Sequence, residues 1–418
     1  VLSPDATSPR PRAGAHVPVL DGIRGLAILL VLVTHLTAFG GTHAFDVWFN
    51  YLAWYGWIGV DLFFVLSGYL ITGILLDSRT SSHYFKNFYA RRVLRIFPLY
   101  YAVVTLSLVV LPGVLPAAQA ERFGRIAGDE PYYWLYLQNF AIARAGQTRH
   151  GVLDVTWSLA IEEQFYLVWP AVVYVCSPRA LKRLCAALFA VAFVARWIAY
   201  RELHLAPFSV YVLTPCRLDA LATGALLAVR AREPGGLAAL VPSARRLGLA
   251  AGAAALALVV IERLAGVVTV YDPGWGPVSI LVGFPLVALA FGSLLVLVVE
   301  APAASRLHRA FASRPMRFFG AYSYGIYLVH LPVRALVADK VYGPAFRAPR
   351  HAFLNVGGTE ILGQLLFYPL ALAAILPVAW LSYHLYEKQF LKLKRYFGDG
   401  AEPRPQRAAE GALSETRT

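Results

Sequence analysis

The 418 residues are 58% apolar and only 15% charged, with a mean hydropathy of +0.56. A soluble domain of this size cannot hide so much apolar surface, so the composition excludes an ordinary globular protein and points to a polytopic helical membrane protein. The net charge of +14 would suggest nucleic acid in a soluble chain; here the distribution of basic residues among loops explains it, and no nucleic-acid partner is expected. Cys176, Cys185 and Cys216 lie in or beside apolar segments without paired spacing and read as small core residues. The histidines are scattered, with no HExxH and no clustered Cys/His spacing, so no metal site is expected.

In chain order, residues 1–16 read as a polar, Pro-rich disordered tail, too polar for a cleavable signal peptide. Apolar runs of membrane-spanning length follow near 20–40, 53–76, 96–115, 157–176, 183–200, 209–229, 247–262, 277–299, 317–337 and 361–386, about ten in all. The stretch 132–143 (YYWLYLQNFAIA) is too short to span and reads as interfacial or re-entrant, its Tyr and Trp sitting at headgroup level. With the N-terminus inside, 25 of the 38 Lys and Arg fall in cytoplasmic segments and ten in outer loops. That bias predicts an N-in, C-in orientation. From Gly398 the chain is again polar and reads as a disordered tail. The expected organisation is one all-α membrane domain over 17–397, with no soluble catalytic domain attached, in the cell membrane.

The first span, VPVLDGIRGLAILLVLVTHLTAF, carries Arg24 and His35 with ten uncharged residues between them. An offset of eleven places both within about 20° of one helix face, roughly 16 Å apart along the axis. Ionisable groups inside a membrane helix are costly and face the bundle interior, where they mark function. Depth along the predicted spans sorts the other polar residues. His35, Glu162, Glu163 and His330 fall in the outer half, and Asp61 lies on the second span. Arg24 lies near the cytoplasmic end, with Arg91, Arg92 and Arg95 beyond the second span. Guanidinium groups stay charged and bind phosphate oxygens in pairs, so the arginine end suits phosphates. An imidazole beside a carboxylate, away from bulk water, suits proton abstraction from a hydroxyl. Glu162 and Glu163 are about 100° apart on a helix, so one is expected inside and the other solvated at the outer interface. Arg217 and Asp219 can neutralise one another or other buried charges. Ser67 has no base at a spacing that would activate it, and the SGY triplet reads as close helix packing through Gly68.

Six segments, in this order, resemble the motifs of the acyltransferase-3 family of integral membrane acyltransferases: LDGIRGLAILLVLVTH, DLFFVLSGYLIT, YARRVLRIFPLYY, TWSLAIEEQFYLVWP, TPCRLDALATGALLA and SYGIYLVHLP. The likeness covers roughly residues 18–390. The family's Arg-ten residues-His motif falls on Arg24 and His35, its arginine-rich motif on Arg91, Arg92 and Arg95, and its Trp-Ser-Leu-x-x-Glu motif on Trp157, Ser158 and Glu162. The resemblance implies transfer of an acyl group, most often acetyl from acetyl-CoA, to a hydroxyl of a carbohydrate, glycolipid or macrolide-like acceptor. Acyl-CoA is then a donor substrate and no permanently bound cofactor is expected. The implied catalytic residues are His35, Arg24 and Glu162, with Arg91, Arg92 and Arg95 holding the donor phosphates. Asp61, Trp157, Glu163, Arg217, Asp219 and His330 are expected to line the acceptor side. The alternative is a transporter that carries a polar or lipid-linked substrate past intramembrane charges.

Overall fold

A computed structural model describes residues 17–37, 43–115, 128–267, 276–341 and 358–397. The expected tails at 1–16 and 398–418 lie outside the described residues. The described chain is helical throughout, with no β-strand. Its helices are α1 (Pro18–Leu36), α2 (Ala44–Trp54), α3 (Ile58–Asp77), α4 (Tyr84–Thr105), α5 (Leu111–Val114), α6 (Glu130–Trp134) and α7 (Gln138–Ala145). There follow α8 (Trp157–Val175), α9 (Pro178–Trp197), α10 (Pro207–Val212), α11 (Leu218–Arg230), α12 (Val241–Leu264) and α13 (Phe284–Val299). The last are α14 (Arg306–Phe311), α15 (Arg314–Ala321), α16 (Ser323–Val341), α17 (Ile361–Leu381) and α18 (Lys388–Lys392).

Every expected span has a helical counterpart, and seven helical stretches among the described residues are long and apolar enough to cross a membrane. Three of the helices that carry the polar residues singled out above, α8, α11 and α16, fall outside that set, being shorter or less apolar. The span expected at 209–229 is broken: α10 stops at Val212, and Leu213 is extended with ψ 129° before a short 3-10 turn, Thr214–Arg217. Pro215 accounts for the break, because in a continuous helix it would offer no N–H to the Tyr211 carbonyl and its ring would clash with that carbonyl; it is instead tolerated in the first turn of the new helical segment. The span expected at 317–337 is likewise divided at Tyr322, between α15 and α16. α4 begins at Tyr84, well before the expected 96, so the arginine cluster lies within the helix and not in a loop ahead of it.

α1 and α3 form the centre of the bundle, with α11 and α13 on one side of α3 and α8 on the other. Small residues let the central helices approach closely. Gly68 of α3 sits against the Leu221 backbone of α11, while Gly224 of α11 sits against the Val65 backbone of α3, and a Cβ at either position has no room. The SGY triplet thus packs as expected. α12 is the outermost long helix, its apolar side chains largely exposed, as suits a lipid-facing position.

Of the two expectations for the 132–143 stretch, interfacial or re-entrant, its burial supports the re-entrant one. The stretch folds into α6 and α7 as a plug inside the bundle, with Tyr133, Gln138 and Asn139 at 0% exposure. No headgroup-level belt would bury them so. Buried polar groups need partners, and the plug supplies them. Gln138 donates to the Thr156 carbonyl at 2.8 Å, Asn139 donates to Thr214 Oγ1 at 3.0 Å, and Gln164 donates to the Tyr136 carbonyl at 2.9 Å. Asp154 clamps the following loop by accepting the backbone N–H groups of Arg149, His150 and Gly151, at 2.6, 2.9 and 2.8 Å, and the Tyr133 hydroxyl at 2.6 Å. His150 is buried beside this clamp with both ring nitrogens unpartnered, and burial pushes it down to about 4, so it is neutral at pH 7. The plug covers the N-terminal end of α8, which therefore starts inside the protein.

Candidate active site

One cavity of about 130 Å³ lies between α1, α3, α4, α8 and α16. Arg24, Arg92 and Arg95 line one end, with Ser67, Glu162 and Tyr166 beside them. Val60, Phe63, Ser158 and Tyr327 line the other end. Arg92 and Arg95 share a face of α4 because three residues separate them; Arg91, about 100° round the helix, is exposed and does not line the cavity. The expected three-arginine site is therefore two-armed on α4, and its third guanidinium comes from Arg24 of α1. Arg24 pairs with Asp21 at 3.3 Å. Arg92 and Arg95 form no ion pair among the described residues, and Arg92 Nε is buried without a hydrogen-bond partner. Phe88 and Tyr166 instead present ring faces to the Arg92 guanidinium at 5.8 and 6.0 Å. Glu162 is the one carboxylate lining the cavity. Cationic charge thus exceeds anionic charge at this end, which favours an anionic ligand.

Ser67 Oγ bonds Tyr166 OH, and Glu162 lines the cavity beside both. Reading spans by depth puts Glu162 with His35, but the fold sets it beside Arg24 and Arg92. The reason is axial position. Trp157, the first residue of α8, is 5% exposed and packs its ring 4.7 Å from Tyr211. The helix therefore begins below the outer surface, and Glu162 lies correspondingly deeper. Ser67 in turn has a carboxylate neighbour that sequence spacing could not reveal, since Glu162 is far from it in the chain. Glu163 is half-buried but does not line the cavity; it faces Arg92 and Tyr324, not outer solvent.

Beyond the Tyr327 end lies a second pair. His35 Nδ1 and His330 Nε2 are 3.0 Å apart, with ring centroids at 4.9 Å. His330 is fully buried, and its Nδ1 lies 2.7 Å from the Tyr327 carbonyl oxygen. A carbonyl only accepts, so Nδ1 of His330 donates and its Nε2 is left with a lone pair in the neutral ring. His35 Nδ1–H then donates to that lone pair, and His35 Nε2 is left unprotonated. Hydrogen bonding thus selects the tautomer of His35 with a free base nitrogen. Tyr327 joins the two parts of the site: its side chain lines the cavity and its carbonyl holds His330. Arg24 lines the cavity, and His35 of the same helix meets His330 of α16.

The remaining acceptor-side residues fall into packing. Asp61 and Arg217 form an ion pair at 2.5 Å, and Asp219 pairs with Arg196 at 2.8 Å, all four at 0% exposure. Arg217 and Asp219 thus neutralise different partners, not each other. Phe284 presents its ring to Arg217 at 4.2 Å, and Tyr211 does so at 4.9 Å. Trp157 packs against Tyr211 and Phe64, while its neighbour Ser158 reaches the cavity and Tyr327 OH at 2.7 Å. Sequence reasoning missed Tyr166, Tyr324 and Tyr327 as cavity residues, because aromatic residues recur throughout the spans. Among the described residues no group of His, Cys, Asp and Glu could hold a metal ion.

The family model described as "Acyltransferase domain" matches residues 17–384. The chain is 30% identical over 374 residues to peptidoglycan O-acetyltransferase OatA of Listeria monocytogenes, covering 84% of this chain and 54% of that protein. It is 31% identical over 369 residues to the putative peptidoglycan O-acetyltransferase YrhL of Bacillus subtilis, with the same coverage of 84% and 54%. To O-acetyltransferase OatA of Staphylococcus aureus it is 27% identical over 341 residues, covering 77% and 51%. The chain thus spans about half the length of these relatives. No solved structure matches. With a family model over nearly the whole membrane domain and a bundle of apolar helices, the chain belongs to the acyltransferase-3 family of multi-pass membrane acyltransferases.

Proposed function

We propose that the protein transfers an acyl group, acetyl in the first instance, from acyl-CoA to a hydroxyl of a carbohydrate acceptor. The names of the relatives, O-acetyltransferases and two of them acting on peptidoglycan, support a carbohydrate over a macrolide. Acyl transfer is the family's chemistry, which displaces the transport reading. The observation that carries the donor assignment is the cavity, with unpaired guanidiniums at one end and the His35–His330 pair past the other.

In this reading Arg92 and Arg95 hold the donor's phosphates, and the acyl thioester enters the cavity. The cavity, of about 130 Å³, receives the acyl group and its thioester, and the phosphates remain with the arginines. The nucleotide stays at the mouth. His35 Nε2 takes the proton of the acceptor hydroxyl, the oxygen attacks the thioester carbonyl, and the C–S bond breaks. The thiolate leaves and recovers a proton, so charge is conserved. Glu162, beside Ser67 and Tyr166 in the cavity, offsets part of the arginines' charge. Attack by His35 itself, through an acyl-imidazole, uses the same free nitrogen.

Replacing Arg95 with Ala is expected to weaken acetyl-CoA binding about tenfold and to leave S-acetylpantetheine binding near its original value. A charge-assisted phosphate contact contributes about 1.5–3 kcal/mol, and the fragment lacks the phosphates. Calorimetry on purified protein measures both; equal losses for the two ligands would remove Arg95 from the donor site.

The arginine end is proposed to face the cytoplasm, where acyl-CoA is found, following the 25-to-10 split of basic residues. A reporter fused after Gly235 is expected to read as cytoplasmic, and one fused after Gly151 as external. A cytoplasmic signal from the Gly151 fusion would reverse the orientation.

A further inference from the structure

The basic residues after Glu387 read, in sequence, as topology alone, yet the fold brings one of them back to the arginine cluster. Past α17 the chain runs through a π-helical turn, Ser382–Glu387, then α18, and then a 3-10 turn, Leu393–Phe397, laid against α4. Tyr386 OH donates to the Pro98 carbonyl at 3.3 Å, and the Phe390 ring lies 5.1 Å from that of Tyr386. Both rings share a groove with Phe97 and Pro98 of α4. The segment therefore runs antiparallel to α4, from Tyr386 opposite Pro98 down to the level of the arginines. There Lys394 comes within electrostatic reach of Arg95, Arg92 and Arg91.

Four cations from two elements thus lie near one another: Arg92 and Arg95 at the cavity, Arg91 on the exposed side of α4, and Lys394 half-buried between the two elements. Among the described residues none of the four side chains forms an ion pair or a side-chain hydrogen bond. Nearby carboxylates act only from a distance: Glu162 and Glu163 on Arg92, Glu387 on Arg95. Glu387 spends its own oxygen on Ser382 Oγ at 3.3 Å. Crowded like charges in a half-buried setting raise one another's energy, and a bound polyanion reverses that. A single carboxylate or phosphate cannot satisfy four cations spread over two elements; a diphosphate-bearing nucleotide can.

We propose that Lys394 is a phosphate-binding residue of the donor site and that the 382–397 segment forms its second wall, holding the nucleotide end of acyl-CoA against α4. The proposal rests on acyl-CoA being the donor. The test compares acetyl-CoA and S-acetylpantetheine binding to detergent-purified full chain carrying Lys394→Gln, Lys394→Arg or Arg95→Ala. Lys394→Gln is expected to raise the acetyl-CoA Kd about tenfold, with S-acetylpantetheine unchanged and Lys394→Arg within about threefold of the original protein. If Arg95→Ala weakens acetyl-CoA while Lys394→Gln does not, the second wall is wrong and the donor reading stands. If Lys394→Gln weakens both ligands alike, Lys394 only shapes the site and the proposal fails. If the unaltered protein does not prefer acetyl-CoA over the fragment, the donor reading itself falls.

Discussion

Replacing His35 with Ala is expected to lower acyl transfer by roughly two to four orders of magnitude, the span usual for loss of a positioned general base. The assay is the initial rate of CoA release with acetyl-CoA and a carbohydrate acceptor, on protein purified at normal yield. His330 sharpens the test because it fixes the tautomer of His35 through a 3.0 Å bond. His330→Gln keeps an acceptor near the former Nε2 and is expected to retain activity within about tenfold. His330→Leu removes the acceptor, frees the tautomer and should approach the loss seen for His35→Ala, chiefly in kcat. A near-normal rate for His35→Ala would remove His35 as base. Equal rates for the Gln and Leu variants would remove the tautomer argument and leave His35 standing.

Arg217→Met is expected to cost about 3–5 kcal/mol of stability, the range found when one partner of a buried ion pair is deleted. Asp61 would remain in a setting with 0% exposure, without the guanidinium at 2.5 Å. Its Oδ2 is unpartnered even in the intact protein, so no other donor stands ready. The double variant Asp61→Leu with Arg217→Met is expected to recover most of the loss, because two apolar groups of similar size need no counter-charge. Thermal unfolding in detergent compares the three proteins. A single variant as stable as the original would mean that Asp61 is solvated, and a double variant no better than the single would mean that the pair also organises α3 and α11.

Legibility varied from residue to residue. The helical spans could be read because about twenty consecutive apolar residues have one stable form in lipid, a helix that satisfies its own backbone. Arg24 and His35 could be placed on one face because helical geometry fixes rotation within a single helix. The ordered motifs led to the family for the same reason: they are local in the chain. The separation of Arg91 from Arg92 and Arg95 was legible in principle, since one residue rotates the helix by about 100°.

What the sequence could not supply was the relation between helices. The depth of Glu162 depends on where α8 starts, and a plug of Tyr133, Gln138 and Asn139 from outside the span sets that start. The partners of Asp61 and Asp219 are Arg217 and Arg196, chosen by packing across α3, α9 and α11 from several arginines of equal charge. Lys394 reaches the arginines only because Tyr386 and Phe390 lay the last segment on α4. By itself, then, the sequence determined the all-α membrane class, the family, and the facing of Arg24 and His35 on α1. Tertiary structure alone decided that His35 meets His330 and that Glu162 joins the arginines. The physical reason is that backbone hydrogen bonding and hydrophobicity act within a helix, whereas axial offset and pairing between helices come from side-chain contacts among residues far apart in the chain.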